Sequence, residues 1–410
     1  MNAGNIKLKC GINAVLVPCE AESVAFGIFV AQGSRYESPA DAGISHFIEH
    51  MLFKGTAKRK AIDISKAIEG RGGNFNAFTG EEGTCFFAHM PSEYLGEAVD
   101  ILSDMYLNAS FPDDEFAREK GVIIEEIKMY NDDPDNIADE NLQAALFPLN
   151  PLGAPVAGSE ETVGAMTASR LKKYMHERYL SENTTLVLVG AFDPDVAAAL
   201  LESAFPVRKG RERKPASPQQ IDLSIPPTCE IKVSRELQQV KLAIGHRTFG
   251  CTDPRRFAVV VMDAILGKGM SSRLFQEVRE KRGLSYNISS NCQFFDEVGM
   301  FVVRAGLSAS NVDKALATIY REFDKIKTRK VSKAELKRTK EFLIGNFRLG
   351  HEKIISKLIF YGSMFMSYGR VVNPADIVEA IRAVTTDDIL AAANSTLADG
   401  NKSISWVLPR

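Results

Sequence analysis

The chain has no excess of charge of either sign. Fifty Lys and Arg face 52 Asp and Glu, a net charge of −2. That balance offers no electrostatic handle for nucleic acid or for an anionic membrane surface. It also lacks any apolar run near the roughly 20 residues that a membrane helix needs. The opening stretch MNAGNIKLKCGINAVLV alternates polar and apolar residues and reads as a strand pair. It has neither the unbroken apolar core nor the small-residue cleavage site of a secretory signal, so the cytoplasm is the expected compartment. Cysteine is sparse, at positions 10, 19, 85, 229, 251 and 292, with no CxxC pair. Such thiols suit reduced, mostly buried positions better than a disulfide framework or a cysteine zinc cluster.

What is present is apolar material for more than one core. At 410 residues and 45% hydrophobic, two domains are the natural expectation. Strand patterns cover 14–18, 23–31 and 184–189, and 74–79 with 84–90 reads as a hairpin around Gly80–Gly83. Helical patterns cover 42–53, 62–69, 92–108, 113–131, 167–179 and 193–205. The segment 207–228 is rich in charge and proline and poor in apolar residues, which marks a linker. The two flanking halves resemble one another. Gly83-Thr-Cys-Phe-Phe and Gly299-Met-Phe-Val-Val each run into an amphipathic helix, and Phe53-Lys-Gly-Thr matches Gly267-Lys-Gly-Met. In that register His46 faces Val260, Glu49 faces Asp263 and His50 faces Ala264. The expected architecture is a duplicated α+β unit: domain 1–208, linker 209–227 and domain 228–410, with both histidines lost from the second copy.

The chemistry gathers in HFIEHMLF, residues 46–53. On a helix, Ile44, Phe47, Ile48, Met51 and Leu52 fall on one side and His46, Glu49 and His50 on the other. Two imidazoles one turn apart can both reach a tetrahedral zinc, and the carboxylate between them can act on a zinc-bound water. The bland alternative is a pair of ordinary half-buried histidines. HxxEH inverts the HExxH zincin order. A catalytic zinc wants a third protein ligand, and the helix over 113–131 offers one. Glu119 and Glu126 lie along one edge of its apolar stripe (Phe116, Ile123, Ile127, Tyr130), whereas Glu125 points to the opposite side. Glu126 is therefore the ligand expected and Glu119 a carboxylate that orients a histidine or the ligand. Alternatively both are surface residues beside Lys120 and Lys128.

With these residues in view, the chain resembles the pitrilysin family, which includes insulin-degrading enzyme and the mitochondrial processing peptidases. HFIEH is followed, 76 residues after its last histidine, by Glu126 in EKGVIIEE. GSRYE (33–37), HMLFKGT (50–56), GGNFNAFTGEEGTCFF (72–87), NTTLVLVG (183–190) and SSRLFQEVREKRGLSY (271–286) resemble family segments in the same order. The resemblance implies two homologous domains, each a mostly antiparallel sheet packed with helices. It implies one zinc per chain on His46, His50 and Glu126, with Glu49 as general base and Glu119 as supporting carboxylate. It further implies that peptides add as a strand along 74–79 at Asn76, Ala77 and Thr79, and that Arg279 and Tyr286 bind the substrate main chain. Lys268 interrupts ILGKGM where relatives often carry consecutive glycines, a departure expected to matter little.

The expected activity is zinc-dependent endopeptidase cleavage of unfolded peptides or presequences in a chamber. Because one chain carries both the metal set and the Arg/Tyr pair, a homodimer with composite active sites is expected. Neither nucleic acid nor membrane is an expected partner. The competing expectation is a non-catalytic or heteromeric partner subunit that binds peptides.

Overall fold

A computed structural model describes residues 3–207 and 216–410; residues 209–215 of the expected linker lie outside these. Two mixed sheets, each packed with helices, make an α+β structure of two units. The first sheet has six strands: β1 (Gly4–Lys7), β2 (Asn13–Pro18), β3 (Ser23–Val30), β4 (Asn74–Thr79), β5 (Thr84–Pro91) and β6 (Thr184–Gly190), in the order β1-β2-β6-β3-β5-β4. The second has five: β7 (Glu230–Arg235), β8 (Val240–Phe249), β9 (Ser285–Phe294), β10 (Val298–Leu307) and β11 (Lys402–Pro409), in the order β7-β11-β8-β10-β9. Among the described residues only β2–β6 and β7–β11 pair in parallel.

Strand β3, SVAFGIFV, is buried along nearly its whole length. A strand with one wet face would alternate; a continuous apolar run means both faces are covered. One face packs on helices 61–69, 95–108 and 194–204 through Ile64, Ile68, Val99, Leu102, Leu201 and Phe205. The other packs on helix Ile354–Tyr368 through Leu358, Tyr361 and Phe365. Leu358, Phe365 and the Val15, Phe29 and Val187 side chains clustered with them each contribute roughly 1.5–3 kcal/mol by burial. Their sum reaches the net stability of a whole domain, about 5–15 kcal/mol, so this helix is integral to the first core. By contrast β4, at the sheet edge, alternates exposed and half-buried residues.

The compact units therefore depart from the expected division. The first comprises 1–128, 154–219 and 349–373; the second comprises 129–153, 220–348 and 374–410. Helix Pro134–Leu146, encoded before the linker, packs on the second sheet through Ile137, Leu142 and Leu146 against Ala243, Met300, Val302 and Val407. An amphipathic pattern shows that a helix has a face to bury but not which sheet receives it, so a boundary drawn at the linker misses both exchanges.

The duplication extends to polar detail. In the first unit, Thr79 on edge strand β4 donates to Glu49. In the second, Ser290 on edge strand β9 donates to Asp263 at 2.5 Å, the residue that the repeat register sets against Glu49. Asp263 is fully buried, and its counter-charge is Lys268, Nζ to Oδ2 2.8 Å. Lys268 is thus no idle interruption of a glycine loop: it neutralises a carboxylate that has no access to water. No helix among the described residues is long and apolar enough to cross a membrane.

Candidate metal centre

Helix Ile44–Leu52 buries Ile44, Phe47, Ile48, Met51 and Leu52 to 1% exposure or less, leaving His46, Glu49 and His50 half-buried on the other side. Phe47 stacks on Phe116, ring centroids 4.8 Å apart and planes within 7°. That stack fastens the helix against Asp113–Asp132 and brings Glu119 and Glu126 to the imidazoles. Glu125, one residue away, turns outward and pairs with Lys128 at 2.8 Å.

The Nε2 atoms of His46 and His50 lie 3.8 and 3.5 Å from Glu126 Oε2, and the rings sit 4.7 Å apart. Ligand atoms of the three residues fall within 4.8 Å of one another. These gaps exceed hydrogen-bond length, yet they approach the edge of about 3.3 Å of a tetrahedron with zinc bonds of about 2.0–2.1 Å. Two imidazoles and a carboxylate are also the donor chemistry zinc takes, so the residues fit that ion.

Protonation states agree. His46 is lowered to about 4, by burial first and then by His50, against the pull of Glu126. It is therefore a neutral imidazole at physiological pH, the form that can bind a metal. His46 Nδ1 is buried with no hydrogen-bond partner among the described residues. On His50, Nδ1 meets Glu119 Oε2 at 3.1 Å. A carboxylate accepts, so Nδ1 carries the proton and Nε2 presents its lone pair. The other oxygen of Glu119 takes Lys54 Nζ at 2.5 Å. Lys54 was not among the expected site residues; it lies four residues beyond His50, in the turn just past the end of the helix.

Glu49 Oε2 accepts from Thr79 Oγ1 at 2.5 Å. Burial raises its pKa, opposed by Thr79 and His50 and assisted by Glu126; a raised carboxylate is a stronger base. Along β4, Asn76 Oδ1 accepts from Ala77 N–H at 2.8 Å. The edge strand, Glu49 and the three donors thus form one constellation. In the second unit, Arg279 and Tyr286 are neighbours. The Arg279 guanidinium lies 5.1 Å from the Tyr286 ring and 4.7 Å from the Phe275 ring, and Tyr286 is 78% exposed. Phe275, in the turn of helix just before Arg279, is an aromatic support that sequence reasoning did not single out.

The family model for insulinase, peptidase family M16, matches residues 15–160, and that for the M16 inactive domain matches 165–343. An uncharacterized zinc protease of Streptomyces coelicolor is 35% identical over 379 residues, 92% of this chain and 83% of that protein. One of Bacillus subtilis is 32% identical over 92% of this chain and 91% of its own length. Among solved structures, a protease from Helicobacter pylori superposes with a TM-score of 0.93 at 20% identity, over 100% of this chain and 99% of that one. A Pseudomonas fluorescens structure described as a peptidase M16 inactive domain gives 0.91 at 21% identity, over 100% and 98%. At that identity the structures speak for the fold. The curated relatives carry the assignment further, and the chain belongs to the M16 insulinase family of peptidases, whose relatives here are zinc proteases.

Proposed function

We propose that the chain is a zinc metalloendopeptidase that hydrolyses unfolded peptides, presequence-like segments among them. The observation that carries this is the convergence of His46, His50 and Glu126 beside a half-buried carboxylate outside that set, Glu49, that is tied to an edge strand through Thr79. That combination is superfluous in a subunit that only binds peptides.

His46 Nε2, His50 Nε2 and Glu126 Oε2 would hold one zinc. When bound, zinc supplies Lewis acidity and a water of lowered pKa. Glu49 takes the proton of the attacking water and delivers it to the leaving nitrogen. Thr79 holds the Glu49 carboxylate in one rotamer during both transfers. Glu119 keeps His50 in the tautomer that presents Nε2. Strand β4 offers its free edge, so that an extended peptide binds through main-chain hydrogen bonds at Asn76, Ala77 and Thr79 without demanding a particular side-chain sequence. A folded substrate has no free strand to offer there. Arg279 supplies a fixed fork of donors and Tyr286 a hydroxyl for the peptide main chain or a developing oxyanion. The cytoplasm is the compartment assigned, in keeping with six free thiols.

An unstructured fluorogenic peptide should be cleaved by the zinc-loaded chain, spared after chelation and cleaved again on adding zinc back. Peptide binding without turnover in the zinc-loaded protein would instead make it a binding subunit.

We also assign a homodimer in which Arg279 and Tyr286 serve the partner chain's zinc. Chains carrying Arg279→Ala and chains carrying Glu49→Gln should each be inactive alone. Mixed dimers should recover activity, because one of the two composite sites is then intact. Verified mixed dimers with no recovered activity would refute the arrangement.

A further inference from the structure

The segment Gly33-Ser-Arg-Tyr-Glu37 belongs neither to the donor set nor to the edge strand, yet it is bonded to the elements that carry both. The helix bearing His46, Glu49 and His50 starts at Gly43, which has φ +93° and no side-chain cap of its own. A side chain cannot be placed there: a Cβ on Gly43 would come 2.5 Å from Ala157 O. The usual Ser, Asp or Asn cap is therefore excluded, and the first helical amides need an acceptor from elsewhere. Glu37 provides it. Its Oε2 accepts from Gly43 N–H and its Oε1 from Ser45 N–H, each at 2.8 Å, and the residue is 6% exposed. A carboxylate at a helix N-terminus also meets the positive end of the helix dipole.

The other end of the segment grips the β4–β5 turn. Ser34 N–H donates to Gly80 O at 3.2 Å and Arg35 N–H to Glu81 O at 2.9 Å. Arg35, 1% exposed, pairs its guanidinium with the Glu82 carboxylate and also reaches Gln219 O at 3.4 Å. At Gly33 the two backbones pack directly, since a Cβ there would lie 2.2 Å from Gly80 O. Thr79, which holds Glu49, is the residue just before this turn.

We propose that residues 33–37 form a positioning element: Glu37 sets the start of the metal-bearing helix, Arg35 sets the turn behind β4, and the short rigid link between them fixes Glu49 relative to the edge strand. This rests on the reading of His46, His50 and Glu126 as metal ligands. Glu37 and Arg35 act through the backbone they hold and are not catalytic residues.

The test uses the full chain loaded with cobalt(II), whose visible spectrum reports ligand geometry without any turnover. In Glu37→Gln, one of the two amides loses its acceptor, because the glutamine NH2 donates. The expected result is a shifted cobalt spectrum and a rise in metal Kd of about 10- to 100-fold, the range for outer partners of metal ligands. Glu82→Gln loosens only the turn. It should leave the cobalt spectrum and metal Kd as in the wild type and raise KM for an unstructured peptide about 10-fold, roughly the size of one charge-assisted hydrogen bond. If Glu37→Gln fails to fold, Glu82→Gln decides. A Glu37→Gln protein with lowered thermal stability but wild-type spectrum and Kd would overturn the proposal, as would wild-type KM in Glu82→Gln. A wild-type chain with no cobalt spectrum overturns the metal reading and this inference with it.

Discussion

Glu49→Gln is expected to retain zinc at wild-type affinity and to lose kcat for peptide hydrolysis by about 10²- to 10⁴-fold, the contribution of a positioned general base. The two halves of that expectation come from different observations. Glu49 is not among the three residues whose donor atoms converge, so replacing it leaves the metal set untouched. Burial raises the pKa of its carboxylate, and Thr79 holds it, so it is a stronger base than a solvated glutamate and is fixed in one orientation. Glutamine matches its shape and still accepts from Thr79 through its carbonyl, but cannot take the proton. Metal content by mass spectrometry and steady-state rates on one peptide separate the two halves. A variant that keeps zinc and full activity removes Glu49 from the mechanism. One that loses zinc reassigns it as a ligand.

The second large effect is expected far from the metal, in the second unit. Lys268→Met should destabilise that unit by about 3 kcal/mol, on the order of 100-fold in its folded-to-unfolded ratio. Asp263 is wholly buried and receives Ser290 and, more weakly, Cys292 Sγ at 3.5 Å. Lys268 Nζ at 2.8 Å is the ammonium that balances it. Removing one member of a buried pair leaves an uncompensated charge, which costs about 3–5 kcal/mol. The lower figure applies because the lysine side chain is 34% exposed and water can partly replace it. The double variant Lys268→Met with Asp263→Leu should recover most of the loss, because an apolar pair in the same place has no charge to desolvate. Hydrogen exchange in β9 and helix Arg256–Gly267 would localise the effect, and equal instability of the single and double variants would contradict it.

Local periodicity made the convergence of His46, His50 and Glu126 readable. His46 and His50 share a face because a helix repeats every 3.6 residues, and the same arithmetic separates Glu126 from Glu125; those assignments needed no tertiary knowledge. Glu37 is different. Its partners, Gly43 and Ser45, are reached through a turn, and nothing in GSRYE by itself says that the glutamate caps a helix six residues on. Lys268 was misjudged for a related reason: the burial of Asp263 is a property of the packed helix and of β9 over it, not of the loop in which the lysine sits. The strand patterns at 14–18, 23–31, 74–79 and 184–189 correspond closely to β2, β3, β4 and β6. Helices Pro134–Leu146 and Ile354–Tyr368 went unassigned, and their destinations depend on which sheet offers a complementary apolar face.

The exchanged helices also impose an order of events on synthesis. Strand β6, the last of the first sheet, is complete at Gly190, but the helix that covers its second face ends only at Tyr368, about 180 residues later. At roughly 5–20 residues per second the ribosome needs on the order of 10–35 s to deliver that cover. Throughout that interval Val15, Phe29, Val187 and Val189 lack their lid and present an adhesive surface to the cell. A chain severed at the linker would lack that cover altogether, and is expected to aggregate where the full chain does not.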